Sequence, residues 1–135
     1  VKKLFIDSDI MLDISLMREP FCLPAINLIE LCYQSRFKAV TSSIAFVNNN
    51  YFLNKFASST RLNSLKRLRS VISIIEVNET IIDLALNSDF VDFEDGVQFY
   101  TAKNAGVDFI ITRNIKDYKQ ATIPVLTAEQ FLRTL

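Results

Sequence analysis

Short apolar runs alternate with amphipathic stretches along the whole chain. Residues 3–6, Lys-Leu-Phe-Ile, form a run of strand length that stops at Asp7-Ser8-Asp9. Ile10, Leu12, Ile14 and Met17 then predict a helix ending before Pro20. Pro24 predicts the opening of a second helix, whose Ile26, Leu28, Ile29, Leu31 and Cys32 give a wide apolar face. Residues 37–41 read as a second strand. Ser42 or Ser43 caps a third helix running to about residue 56, with Ile44, Val47, Tyr51 and Phe52 apolar. Asn48, Asn49 and Asn50, three poor helix formers in succession, sit in its middle. A basic helix over 61–70, a Val- and Ile-rich strand over 71–77 and a short helix over 80–87 follow.

The stretch 92–117 is the densest in information. Gln98, Phe99, Ala102 and Ala105 share one helical stripe, and Asp95 lies one turn ahead of them on the same side. Gly106 is placed to close that helix in the left-handed conformation. Residues 109–112 form a continuous apolar run suited to a strand covered on both faces, and Arg113, Asn114 and Asp117 leave its C-terminal end. A small strand at Val125-Leu126 precedes a last helix opened by Thr127, with Gln130 three residues later as a capping box. Strands separated by helices, with no hairpin turns, predict an α/β fold: a three-layer α/β/α sandwich around a central parallel sheet. Length, scarce Gly and Pro and the absence of repeats predict a single domain, 1–135.

Composition narrows the chemistry. Histidine is absent, which removes Ser-His-Asp and Cys-His mechanisms, and two cysteines without histidine leave no zinc site. A working metal would have oxygen ligands, which favours Mg2+ or Mn2+. Cys22 and Cys32 read as small core residues of a reducing compartment. No run approaches a membrane span and no signal pattern opens the chain, so a cytoplasmic location is expected. The zero net charge hides a division: residues 31–75 carry seven bases and no acid, while residues 76–135 carry ten acids and five bases. That asymmetry suggests an anionic partner for the middle and a cation for the acidic parts.

Asp7 follows an apolar strand directly and so belongs at the sheet's C-terminal edge, either as a functional carboxylate or as a helix N-cap. Asp92 and Glu94 are accounted for by capping and by the dipole of the following helix. Asp95 is not, because it aligns with the buried stripe, where an unpartnered carboxylate is costly. Carboxylates converging in a crevice repel one another unless a cation neutralises them.

The opening LFIDSDIMLDISLMREPF, the block DFEDGVQFYTAKNAGVDFIITRNIKDY and the tail IPVLTAEQFL together resemble a PIN domain over nearly the whole chain. The resemblance implies a compact α/β/α nuclease, dependent on Mg2+ or Mn2+ and directed at single-stranded RNA, similar to the toxin ribonucleases that pair with an antitoxin. It implies Asp7 and Asp95 as metal ligands and Asp7, Asp95 and Asp117 as catalytic residues, with Asp9, Asn48, Asp92 and Asn114 in support. The pattern departs from the family at Asn48, where a glutamate is usual, and at Asn114, where aspartate is frequent. Lys66, Arg67 and Arg69 are the expected phosphate contacts, and exposed Tyr51, Phe52 or Phe56 the expected surface for a homodimer or an antitoxin. Two alternatives stand beside this one: a PIN-like module that binds RNA or protein without cutting, and a haloacid-dehalogenase-like phosphatase with Asp7 as nucleophile and Asp9 as acid. For the latter, Ile10 departs from the motif, and Thr112-Arg113-Asn114 stands where an acidic pair is expected.

Overall fold

Alternate side chains of the first strand leave the sheet on opposite faces, and helices cover both. In a computed structural model describing residues 1–135, β1 (Lys3–Ile6), β2 (Lys38–Ser42), β3 (Ile72–Ile75), β4 (Phe109–Ile111) and β5 (Val125–Leu126) form one sheet. Its order is β3-β2-β1-β4-β5 and every pairing is parallel. Leu4 and Ile6 pack against α1 (Ser8–Ser15), α2 (Cys22–Tyr33) and α7 (Ala128–Arg133) through Ile10, Met11, Ala25, Leu28 and Phe131. Phe5 points the other way, with Val40 and Ile110, onto Phe99 and Ala102 of α6 (Phe93–Asn104). A smaller cluster of Ile81, Ala85 and Val97 seats α5 (Glu79–Leu86) on α6. The remaining helices, α3 (Ser43–Phe56) and α4 (Arg61–Val71), contribute Ala45 and Leu68 to the first cluster. The result is the three-layer sandwich expected from the sequence.

Several boundaries differ from the sequence expectation for local reasons. Helix α2 begins two residues before Pro24, because proline is tolerated in a first turn whose N–H groups have no helical partner. Helix α1 ends at Ser15, and Met17 turns the chain with a positive φ of 50°. Val71 closes α4 rather than opening β3, which spans only Ile72–Ile75. Gly106 closes α6 at φ 68° as its position suggested. Cys22 and Cys32 are buried and unpaired. No helix is long and apolar enough to cross a membrane.

The chain order places the site. From β1 the chain builds outward through β2 and β3 on one side, then returns to place β4 and β5 on the other. The strand order therefore reverses between β1 and β4, and in open parallel sheets ligands bind beyond the C-terminal ends of the strands at such a point.

Leu28 is fully buried between α2 and the sheet, whereas Leu62 on α4 is exposed. Leu28→Ala is expected to cost about 2–5 kcal/mol in urea denaturation, through lost burial and the cavity left behind. Leu62→Ala should stay within about 0.5 kcal/mol of the parent.

Candidate functional site

The last residue pair of the β1–β4 ladder carries the chain straight into a cluster of acids. Asp7 N–H still donates to the Ile111 carbonyl at 3.0 Å, so Asp7 is fixed by the sheet itself. Its side chain does two jobs. Oδ1 caps α1 by accepting from Ser8 N–H at 2.7 Å, and Oδ2 accepts from Thr112 Oγ1 at 2.9 Å and Tyr118 Oη at 3.1 Å. The capping and functional roles weighed for Asp7 are therefore compatible in one carboxylate.

Asp9, in the first turn of α1, faces the loop leaving β4. Its Oδ2 accepts from Arg113 N–H at 3.0 Å and from the Asn114 side-chain amide at 3.3 Å. Its Oδ1 is buried and has no partner. From the other side of the sheet, Asp92 caps α6 by accepting from Asp95 N–H at 3.2 Å, and Asp95 projects half-buried from the first turn. Asp117 belongs to a 3-10 turn, Ile115–Tyr118, directly after β4.

The electrostatics show that these acids share one space. Burial, then the charges of Asp92, Asp117, Asp7 and Glu94, pushes Asp95 up to about 7. Burial and then the neighbouring Asp7 push Asp9 up to about 7. Burial raises Asp7 as well, against the hydrogen bonds from Thr112, Ser8 and Tyr118, and Asp117 adds to the rise. Tyr118, held above its ordinary value by burial and by Asp7, keeps its proton and donates it.

Helix α3 brings amides instead of charge. Asn48 donates to Glu94 Oε1 at 2.8 Å, linking the middle of α3 to the start of α6. Asn49, fully buried, donates to the Ser8 carbonyl at 3.3 Å, and Ser42 Oγ donates to Gln98 on α6. Lys66, Arg67 and Arg69 of α4, expected to contact phosphate, stand apart from this cluster. Neither the cavity of about 290 Å3 that includes Asp95 nor the one of about 560 Å3 that includes Asn114 is lined by Lys66, Arg67 or Arg69. Lys66 and Arg69 line a separate groove with Phe46, Leu62 and Leu65.

Sequence reasoning missed Thr112, Tyr118 and a buried carboxylate, Asp13. Asp13 is fully buried and receives Arg113 Nε at 2.8 Å, Arg113 Nη2 at 3.0 Å and Arg18 Nε at 2.9 Å. The Arg113 guanidinium also lies over the Phe21 ring, 4.0 Å from its centroid. The only available signal was the pattern itself: an aspartate on the apolar side of α1, and a tyrosine within a polar run.

A divalent cation fits this donor set. The groups are hard oxygens, burial and mutual repulsion outweigh the Arg113 charge at Asp9, and Asp9 Oδ1 is buried without a partner. No three acidic or thiol side chains stand close enough to enclose an ion by themselves. Such an ion would keep part of its water, as Mg2+ does when held by one or two carboxylates.

Comparison with known proteins bears on the fold and the family. A family model for the PIN domain matches residues 3–116. Over 135 residues the chain is 27% identical to ribonuclease VapC1 of Aquifex aeolicus, covering 96% of this chain and 93% of that protein. VapBC2 of Rickettsia felis, solved bound to a promoter DNA fragment, superposes with a TM-score of 0.70 at 16% identity, over 92% of this chain and 96% of that one. A toxin–antitoxin complex from Klebsiella pneumoniae superposes with a TM-score of 0.67 at 21% identity, over 93% and 97%.

The raised carboxyls carry a sign that can be measured. Asp7, Asp9 and Asp95 bind protons more tightly folded than at their ordinary 3.8, and through Asp9 and Asp95 the folded state holds more protons between about pH 4 and 7. Their contribution is fully present below pH 4 and is lost as pH rises through 7. The metal-free protein is expected to melt at a lower temperature at pH 8 than at pH 5.5. Millimolar Mn2+ should raise the melting temperature at pH 8 and much less at pH 5.5, where protons occupy the acids. Equal Mn2+ effects at both pH values would contradict the cluster.

Proposed function

The chain belongs to the PIN domain family, and on that premise we propose that it is a metal-dependent endoribonuclease, the toxin of a toxin–antitoxin pair, hydrolysing single-stranded RNA. The observation that carries this reading is the convergence of Asp7, Asp95 and Asp117 at the strand-order reversal, where Asp117 raises the proton affinity of Asp7, and Asp117 and Asp7 both raise that of Asp95. Similarity to a named VapC ribonuclease along nearly the full length supports the same class.

Asp7 and Asp95 would hold Mg2+ or Mn2+, with Asp9, Asn114 and Asp117 beside them. When bound, such a cation acidifies water and offsets the charge that builds on phosphoryl oxygens. The protein's own contribution is positional. Thr112 and Tyr118 point Asp7 Oδ2 by two hydrogen bonds, while Arg113 N–H and Asn114 orient Asp9. Asp95, half-buried at the start of α6, would hold the cation from the α6 side. Water adds to phosphorus in line as the bond to the leaving oxygen breaks.

For the protein partner, α3 exposes Val47, Tyr51 and Phe56, and Phe46, Leu62 and Leu65 line the neighbouring α3–α4 groove. These surfaces support a seat for the antitoxin or for a second copy of the chain. Lys66 and Arg69 on the groove rim favour an acidic amphipathic segment there.

The second reading, a module that binds without cutting, is favoured by one observation: α3 supplies the neutral Asn48 to the site. The two readings separate on one variant. Asp95→Asn should lower Mn2+-dependent RNA cleavage by roughly 10²-fold or more, the scale of removing one electrostatic stabiliser, while RNA binding persists or tightens. Wild-type protein that binds RNA yet never cuts it in manganese would leave the binding module standing.

A further inference from the structure

Two lysines outside the basic middle segment emerge beside the acids, and neither is held in an ion pair. Lys116 lies in the 3-10 turn Ile115–Tyr118, and Lys119 closes it. A 3-10 helix has about three residues per turn, so side chains three apart lie one above the other. The sequence Ile-Lys-Asp-Tyr-Lys therefore sends two ammonium groups from the same side of the turn. Both are exposed, and neither takes part in an ion pair although four carboxylates line the same cavity.

The placement of the turn is fixed. Tyr118, between the two lysines, is buried against Phe5 and Phe99 in the core, and its hydroxyl donates to Asp7 Oδ2 at 3.1 Å. The hydrogen bond that orients the first acid thus also sets where Lys116 and Lys119 leave the surface. They line the cavity of about 290 Å3 whose walls include Asp92, Asp95 and Asp117. A lysine ammonium suits phosphate as a point charge, without reading bases.

We propose that Lys116 and Lys119 form a phosphate-binding subsite for the nucleotide next to the scissile bond, and that this cavity is where the RNA backbone passes the acids. The proposal rests on the ribonuclease reading for the identity of its ligand. It moves the nearest phosphate contacts from α4 to the turn after β4. The α4 bases then act farther along the strand or at the antitoxin groove.

The test compares wild type, Lys116→Gln/Lys119→Gln and Lys66→Gln/Arg67→Gln/Arg69→Gln. Binding of a fluorescein-labelled unstructured RNA 12-mer is followed by anisotropy in EDTA, where metal-dependent cutting is off, from 50 to 200 mM KCl. Both lysines are exposed, so the double variant should fold, with an unchanged melting temperature as the check. It is expected to bind about tenfold more weakly at 50 mM salt, with a log–log salt slope shallower by about 1.4, from two phosphate contacts at roughly 0.7 each. In manganese its cleavage should show a raised KM with kcat reduced less. Wild-type affinity and slope in the double variant, or no RNA binding by wild type, would overturn the subsite. If the slope falls as expected but no RNA is ever cut in manganese, the two lysines stand as RNA phosphate contacts, and the nuclease reading fails together with the place beside a scissile bond.

Discussion

The carboxylate of Asp7 is the point on which the rest of the site depends. It ends β1, caps α1, and is held on its other oxygen by Thr112 from the end of β4 and by Tyr118 from the turn that follows. One residue thereby joins the two strands that flank the reversal of strand order. Burial without a countercharge makes this join costly in the charged form, and the cost is shared with Asp9 and Asp95. Carboxylates brought together with mostly neutral hydrogen-bond donors among them would be relieved by a cation.

Asp13 shows the opposite arrangement a single turn away. It is more deeply buried than Asp7, yet Arg113 and Arg18 surround it with three charge-assisted hydrogen bonds. The protein therefore has the means to neutralise a buried acid and uses them at Asp13. That ion pair has a mechanical role: Arg113 is gripped by Asp13 and packed on Phe21, so the loop that carries Asn114 is clamped to α1. Removing one member of such a buried pair leaves an uncompensated charge, which is why it braces the site instead of serving it.

Much of this was legible in the sequence because it is local. Apolar runs gave the strands, and the caps at Asp7, Ser42, Asp92 and Thr127 gave helix starts to within a residue or two. Asp95 was legible as an anomaly, an acid on a stripe that ought to be buried. What could not be read depends on contacts distant in sequence. Asp13 meets Arg113 a hundred residues on, and Tyr118 meets Asp7 over 111 residues. Segment charge told how many bases the middle carries but not which way they face. Helix α4 places Lys66 and Arg69 on an apolar groove, while the two lysines lining the cavity beside Asp95 come from the acidic part of the chain.

The account's central claim is that the acids at the end of β1 and the start of α6 form one cation site. Crystals of the protein grown at pH 8 and soaked in MnCl2 would test it through an anomalous difference map collected at the manganese edge. One peak is expected in the crevice between Asp7 and Asp95, within about 2.0–2.6 Å of at least one of their carboxylate oxygens, the range of oxygen ligation. A map with no peak there, or manganese bound only elsewhere on the surface, would contradict it.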